Sequence, residues 1–360
     1  MSYARARILL GLLSLSLLAL ACATLLWPPV YTGVATWSRP ATVGLLVGGW
    51  LLLTLPFDWL GGYWLPTRYA RSALSLGQWL VAWGRASLTQ GAFFFLNLSA
   101  LSAMTDWLGW LGAMGWLFLS MLLLLGFQVY LHIGLTWTGH QVENDQGRLL
   151  FVLAHQDRGF TGGIFGLPGK ESIVFPAYWR TRFRAPVHQL LINRRHGAIN
   201  TGAHGRGVLL AVGWNLLLFA AALLLSGTLP ATSGGLLQTV GGYSLLSLLS
   251  AVGPLPWLSR RGVYEIDRWT YYKGMDPDLL REGMAATHRL REDEAGTALT
   301  RAVPTQAMRE AQFVQQQPMR GAWQATRQAL FTSWAGGNLL CRSFPVQLGR
   351  PELWVFLPGD

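Results

Sequence analysis

The chain reads as a mainly α, polytopic helical membrane protein of about six transmembrane helices with a small cytoplasmic α+β region. Three observations predict this. Of the 360 residues 51% are hydrophobic and only 12% are charged, against roughly a quarter charged in an ordinary soluble domain. The apolar residues gather into runs of roughly 20, the length a helix needs to cross a bilayer. The basic residues also divide by side. With the amino terminus inside, every Lys and Arg except Arg39 falls on the cytoplasmic face, the asymmetry that fixes orientation.

The first run, Ile8 to Trp27, follows Arg5 and Arg7. Ala19-Leu20-Ala21-Cys22 is similar to a lipoprotein cleavage box, but the run is long for a signal core and further spans follow, so a retained membrane helix is expected. The second, Thr42–Leu60, contains Gly48-Gly49 and Pro56 and leads to Gly61-Gly62, a pattern that predicts a broken helix. The third, Gln90–Ala103, is short and is followed by polar Thr105 and Asp106, so it and the fourth, Leu108–Ile133, are expected to form a tight helical hairpin. Gly207–Ser226 and Leu236–Leu258 complete the set, five spans being the alternative count. Both termini then lie in the cytoplasm of a cell inner (plasma) membrane of bacterial type.

Four regions follow: transmembrane helices over 1–135, a cytoplasmic β-hairpin plus helix over 136–206, two more spans over 207–258, and a cytoplasmic carboxy-terminal region over 259–360. In the second region Leu149–Leu153 and Ser172–Phe175 read as strands. They flank the turn-rich Gly159–Gly166, and a helical pattern begins near Ala185. The last region starts as a charged helix, restarts after Asp276-Pro277-Asp278, and has the composition of a linker at Gln315-Gln316-Gln317-Pro318. It ends on apolar Leu353-Trp354-Val355-Phe356, a surface for a partner or for its own domain.

The net charge of +11 would suggest nucleic acid in a soluble chain. Juxtamembrane arginine facing an anionic leaflet accounts for it here, so the expected partner is the lipid bilayer and not nucleic acid. Cys22 and Cys341, one in a span and one in the tail, are not expected to meet. Gly169-Lys170 is no phosphate loop, because Ile164 stands where the first glycine belongs and Glu171 where Ser or Thr belongs. No two of the seven histidines are four apart, the spacing that puts two imidazoles on one helix face for zinc. Asp58 and Asp106 sit at expected span ends, where they would reach water.

Ser259-Arg260-Arg261-Gly262-Val263-Tyr264-Glu265-Ile266-Asp267-Arg268, following a helix that runs into a span and then a second span, resembles the HtpX and CAAX-prenyl-protease family of membrane zinc metallopeptidases. The resemblance covers roughly Leu135 to Ala311. It implies a metal site built by H-E-x-x-H on the helix before the span and by a carboxylate after the next one. Placing Gly202 of Asn193–Gly202 on the family's glycine puts Arg194, Arg195 and Ala198 where His, Glu and His would stand, and Val263 where the ligand Glu would stand. Arg301-Ala302-Val303-Pro304 and Arg309 resemble a third family segment with its His missing.

Arginine does not give up its proton to become a zinc donor, and two guanidinium charges repel a dication. No general base remains for a metal-bound water. A degenerate member is therefore expected, with no catalytic, cofactor-binding or metal residues. The simultaneous loss of ligands and gain of arginines predicts a bridge from Arg194 or Arg195 to Glu265 or Asp267, the alternative being that both arginines face lipid headgroups. The implied role is a non-catalytic, pseudoprotease-like binding or assembly subunit with a membrane-protein partner. The alternatives are a divergent peptidase using His188, His196 and His204 with Glu265, and a small-solute transporter relying on Asp58 or Asp106.

Overall fold

The computed structural model describes residues 3–70, 75–136, 139–154, 161–251, 254–290, 304–313 and 320–333. Arg301, the 315–318 linker, Cys341 and the 353–356 apolar end lie outside them. The described residues are 77% helical with one small sheet. Among the described residues three helices are long and apolar enough to cross a membrane.

α1 spans Tyr3–Leu25 and the short α2 spans Pro28–Gly33. α3, Arg39–Trp59, starts with proline in its first turn, where the missing N–H costs nothing. It is not broken at Gly48-Gly49. A π-helical turn over Leu60–Trp64 absorbs Gly61-Gly62 and passes directly into α4, Leu65–Arg68, so one apolar helix runs from Arg39 to Arg68. α5, Leu76–Gly126, begins well before the expected Gln90 because Ser75 and Gln78 form a reciprocal capping box. Gly109, at φ 59° and ψ −135°, interrupts α5. The arms 76–108 and 110–126 fold against each other there: Trp116 Nε1 donates to the Asn97 carbonyl at 3.1 Å. Arg39 holds the Asp106 carboxylate with both Nη atoms, 3.0 and 3.1 Å, tying the start of α3 to the hairpin tip. Asp58 is 3% exposed, not water-facing, and accepts from Trp83 Nε1 at 3.0 Å.

After α6, Gln128–Thr136, comes the sheet, in the order β1-β2-β4-β3. β1 (His140–Asp145) and β2 (Arg148–Leu153) form a hairpin through Gln146-Gly147, both at positive φ, which suits the twist of a two-residue turn. The expected hairpin between Leu149–Leu153 and Ser172–Phe175 is corrected. β2 and β4 (Ser172–Pro176) run parallel, and the connector supplies β3 (Gly163–Phe165), antiparallel to β4. Glycine makes this crossing feasible: a Cβ on Gly162 (φ +70°) would sit 2.1 Å from the Val174 carbonyl oxygen. Both faces are covered, as parallel pairing requires. Leu150, Val152, Ile173 and Phe175 face Val187 and Leu191, while Phe151, Leu153 and Val174 pack with Val129 and Ile133.

α7 (Tyr178–Arg182) leads to α8 (Ala185–Asn200) and, across Gly202 at φ +72°, to α9 (Ala203–Ser226). α10 covers Ser233–Ala251. The expected sixth span does not continue to Leu258: α11 (Pro254–Tyr272) begins anew at Pro254, which cannot donate a helical hydrogen bond. α12 (Pro277–Leu290) and α13 (Gln306–Phe313) follow, and α14 (Ala325–Thr332) lies alongside α9. Ala211, Ala325 and Ala329 share one buried cluster, small residues that allow the backbones to approach. Deeper in, Asn215 Nδ2 donates to the Ala329 carbonyl (2.8 Å) and Thr332 Oγ1 (2.9 Å), and Tyr243 Oη donates to Asn215 Oδ1 at 3.0 Å.

Asn215 thus joins α9, α10 and α14. Its replacement by Ala is expected to lower stability in detergent by about 1–2 kcal/mol, the upper range for hydrogen bonds between buried helices. The exposed Thr228→Ala should stay within about 0.5 kcal/mol. Thermal unfolding of the two variants side by side checks this.

Candidate functional site: a sealed arginine–aspartate junction

The elements that the resemblance assigns to a metal site do converge, around Asp267. α8 presents one face to the sheet and α11, and that face carries Arg194, Arg195 and Ala198 as well as leucines. α8 can lie close to α11 because residue 197 is glycine: a Cβ there would sit 2.6 Å from the Trp269 ring. The inward stripe of α11 includes Ser259, Gly262, Val263, Ile266, Asp267 and Thr270, spaced to fall on one helix face.

Asp267 is fully buried. Arg194 donates to its Oδ1 from Nε at 3.0 Å and Nη2 at 2.6 Å. Arg309 on α13 donates from Nε to Oδ2 at 2.6 Å and from Nη2 to Oδ1 at 2.8 Å. One carboxylate thereby ties three helices with charge-assisted bonds, the strong kind. Burial alone would push the carboxyl pKa up. The Arg194 and Arg309 guanidinium groups more than reverse this and hold it below the usual carboxylate value.

The other sequence-derived positions separate around this pair. Arg195 donates from Nη1 to the Leu191 carbonyl at 3.1 Å and from Nη2 to the Thr161 carbonyl, with its guanidinium over the Phe175 and Trp179 rings. Glu265 does not join Arg194 or Arg195. Both its oxygens accept from Arg206 Nη2 at 2.7 Å, and Oε2 also accepts from the Gly321 N–H at 2.8 Å. Glu265 and Asp267, two residues apart on α11, do not share a helix face and so meet different arginines. Ala198 and Val263 are buried in one apolar cluster with Ile164, Ala203, Ile266 and Trp323.

Trp323 belongs to the carboxy-terminal segment, which threads between α9 and α11. Its N–H donates to the Ala203 carbonyl at 3.0 Å, and the Ala322 N–H donates to Leu258 at 3.1 Å. Three glycines make room for the backbone. A Cβ would sit 2.2 Å from the Trp323 oxygen at Gly207, 2.4 Å from the Trp323 nitrogen at Gly262, and 2.0 Å from the Gly262 nitrogen at Gly321. Ser259 secures the same segment, meeting Thr326 Oγ1 at 3.1 Å and accepting from the Thr326 N–H at 3.1 Å. A cavity of about 10 Å³ remains between Trp179, Leu191, Arg194, Arg195, Ile266 and Trp323, room for about one water molecule.

The residues present do not fit zinc. The family's donor positions hold two arginines, an alanine and a valine, none able to ligate. The alternative set is not assembled either. His196 Nε2 meets Asp145 Oδ2 at 2.8 Å, His188 lies beside the Phe175 ring, His204 is buried beside Trp323, and Glu265 is held by Arg206. Among the described residues no group of three or more His, Cys, Asp or Glu could hold a metal ion. No family model matches the chain, and neither the curated proteins nor the solved structures give a match.

The partnerships of Asp267 with Arg309, of Glu265 with Arg206 and of Trp323 with Ala203 join residues far apart in sequence, and no spacing rule signals them. Arg309 alone carried a hint, as part of the third family-like segment.

Removing the carboxylate leaves two buried cations facing each other. Asp267→Ala is expected to cost about 3–5 kcal/mol, the usual penalty for breaking a buried pair. The pH dependence has a definite sign. The folded carboxyl titrates below its unfolded value of about 3.9, so its contribution is complete above that value and is lost as pH falls through the folded pKa. Chemical unfolding between pH 3 and 7 should show Asp267→Asn with a shallower acid-side loss of stability than wild type.

Proposed function

We propose that this chain is a non-catalytic membrane protein, a binding or assembly subunit on a scaffold of the HtpX and CAAX-prenyl-protease kind. The observation that carries the reading is the sealed junction. Where that family's chemistry needs a metal, a carboxylate and an open cleft, this chain has two guanidinium groups on Asp267, an alanine–valine contact, and Trp323 of its own carboxy-terminal segment closing over them. Peptide hydrolysis at that place would require a water-activating metal or base and room for a substrate strand, and the cavity has room for neither.

The proposed topology has six passes: α1, α3, the two arms of α5, α9 and α10. The apolar stretch of α1, Leu9–Leu25, and the length of α10 support this count beside the three longer helices. The Arg39–Asp106 pair supports the orientation. It removes much of the cost of placing the one outside cation at the far ends of α3 and α5, while Arg68, Arg206 and the arginines of α11 gather at the other end. Both termini then face the cytoplasm of the inner membrane, and the partner is another membrane protein.

The experiment is extraction from the native membrane in mild detergent, followed by measurement of mass, composition and zinc. A stoichiometric partner with less than about 0.1 zinc per chain is the expected result. About one zinc per chain, together with peptide hydrolysis, would replace this reading with the divergent metallopeptidase.

A further inference from the structure

The stretch 321–323 lies between α9 and α11 as a peptide ligand lies in a groove. The Gly321 N–H donates to Glu265 Oε2, and Arg206 Nε donates to the Gly321 carbonyl, both at 2.8 Å. The Ala322 and Trp323 N–H groups donate to the Leu258 and Ala203 carbonyls at 3.1 and 3.0 Å. Main-chain bonds of this kind give affinity, and pockets for side chains give selectivity. Glycine is required at the first position, where a Cβ would sit 2.0 Å from the Gly262 nitrogen. A small residue is required at the second, where Ala322 packs with Ala211 and Leu255. The third fills an apolar pocket of Ala198, Ala203, Val263 and Ile266.

The chain's own segment suits the backbone track better than it suits the pocket. Trp323 is 3% exposed, and its indole N–H is buried with no hydrogen-bond partner. His204, fully buried on the groove wall, has its ring 6.4 Å from the Trp323 ring. The Gly166 backbone is near it, but neither ring nitrogen makes a well-formed hydrogen bond. Gln328 Oε1 on α14 is buried and unmatched as well. Gln324, which joins Trp323 to α14, is held at φ 56°, a left-handed conformation that an L residue adopts at a cost. Each buried polar group left without a partner forfeits its hydrogen bonds to water. Collected along one segment, these costs favour its replacement by a better-matched one.

We propose that the groove between α9 and α11 is a peptide-binding site that residues 320–333 plug from within. Its ligand is a segment of the partner protein that reads glycine, a small residue, then tyrosine. The first two pass the glycine crossing as Gly321 and Ala322 do, and the tyrosine hydroxyl supplies the hydrogen bond that His204 lacks under Trp323. The inference rests on the binding-subunit reading and names what that subunit binds. Failure of the trapping experiment would remove the groove alone, whereas bound zinc with peptide hydrolysis would remove the reading beneath it.

Disulfide trapping on the full chain in mild detergent tests it, with Cys22→Ala and Cys341→Ala throughout. Ser259 Oγ and Thr326 Oγ1 lie 3.1 Å apart across the groove. A synthetic peptide with the sequence of residues 320–333 and Thr326→Cys should therefore couple to Ser259→Cys once it displaces the plug. Mass spectrometry reads the adduct. Adding Trp323→Ala to the chain removes the plug's aromatic anchor and should raise the yield about tenfold. Gly321→Ala bars the plug's own crossing, should act in the same direction, and stands in if Trp323→Ala fails to fold. Trp323→Tyr in the peptide should raise the yield about threefold more, the effect of one added hydrogen bond. A peptide of scrambled order with the same Cys should not couple. Absence of the adduct from the folded plug variants, or equal coupling of the scrambled peptide, overturns the proposal. So does a covalent dimer formed without peptide between Ser259→Cys and Thr326→Cys chains, which would give the groove to a second copy.

Discussion

A buried carboxylate shared by two guanidinium groups organises the sheet-bearing half of this protein. Asp267 on α11 is inaccessible to water, so its charge must be met inside the fold, and Arg194 from α8 and Arg309 from α13 meet it. Each helix has other contacts, but these are the ones that cannot be given up singly. Removing either guanidinium weakens compensation of a fully desolvated charge, and removing the carboxylate leaves two like charges in contact. Such a group is weak evidence for net stability, since a well-packed apolar triad of the same volume often does as well. Its physical consequence is specificity of arrangement, because only one docking of α8, α11 and α13 satisfies all four of its hydrogen bonds.

Closure above the junction follows from backbone geometry. Gly207, Gly262 and Gly321 let the carboxy-terminal segment pass between α9 and α11 at distances no side chain would tolerate. Once there, Trp323 covers Ala198 and Val263, and α14 continues along α9 as far as Asn215. Arg206 and Glu265 secure the crossing from outside, through Gly321 on both its N–H and its carbonyl. A polar clamp, a three-glycine crossing and an alanine-rich helix contact thus succeed one another along a single segment. The space between α8, α9 and α11 is thereby filled from within.

Much of the fold could be read in advance because long apolar runs are a strong signal. The apolar runs, the hairpin near residue 109 and the helix beginning near Ala185 all follow from run length, polar interruption and period. The failures have equally physical causes. The glycine-rich stretch after β2 has the composition of a hairpin turn, but its length allows a third strand and a parallel return. Ser75 and Gln78 start α5 early through a side-chain cap that hydropathy does not register. α14 has no apolar run at all, since Thr326 and Thr332 satisfy their polar groups against Ser259, Asn215 and the Gln328 backbone carbonyl. At the junction, Arg194 and Asp267 could be related only through the resemblance, which set arginines at two expected ligand positions. Arg206, Arg309 and Trp323 reach the site through tertiary packing that leaves no periodic trace.

The same contrast separates the two faces of α11. Inside, the Asp267 carboxylate is matched within hydrogen-bonding distance and the backbone is pressed against its neighbours, so substitutions there act first on folding. Outside, Arg261 lies over the Trp257 ring and Arg268 over the Tyr272 ring, pairings that contribute modestly. Substitutions on that face are therefore expected to cost far less than those on the face that holds the junction.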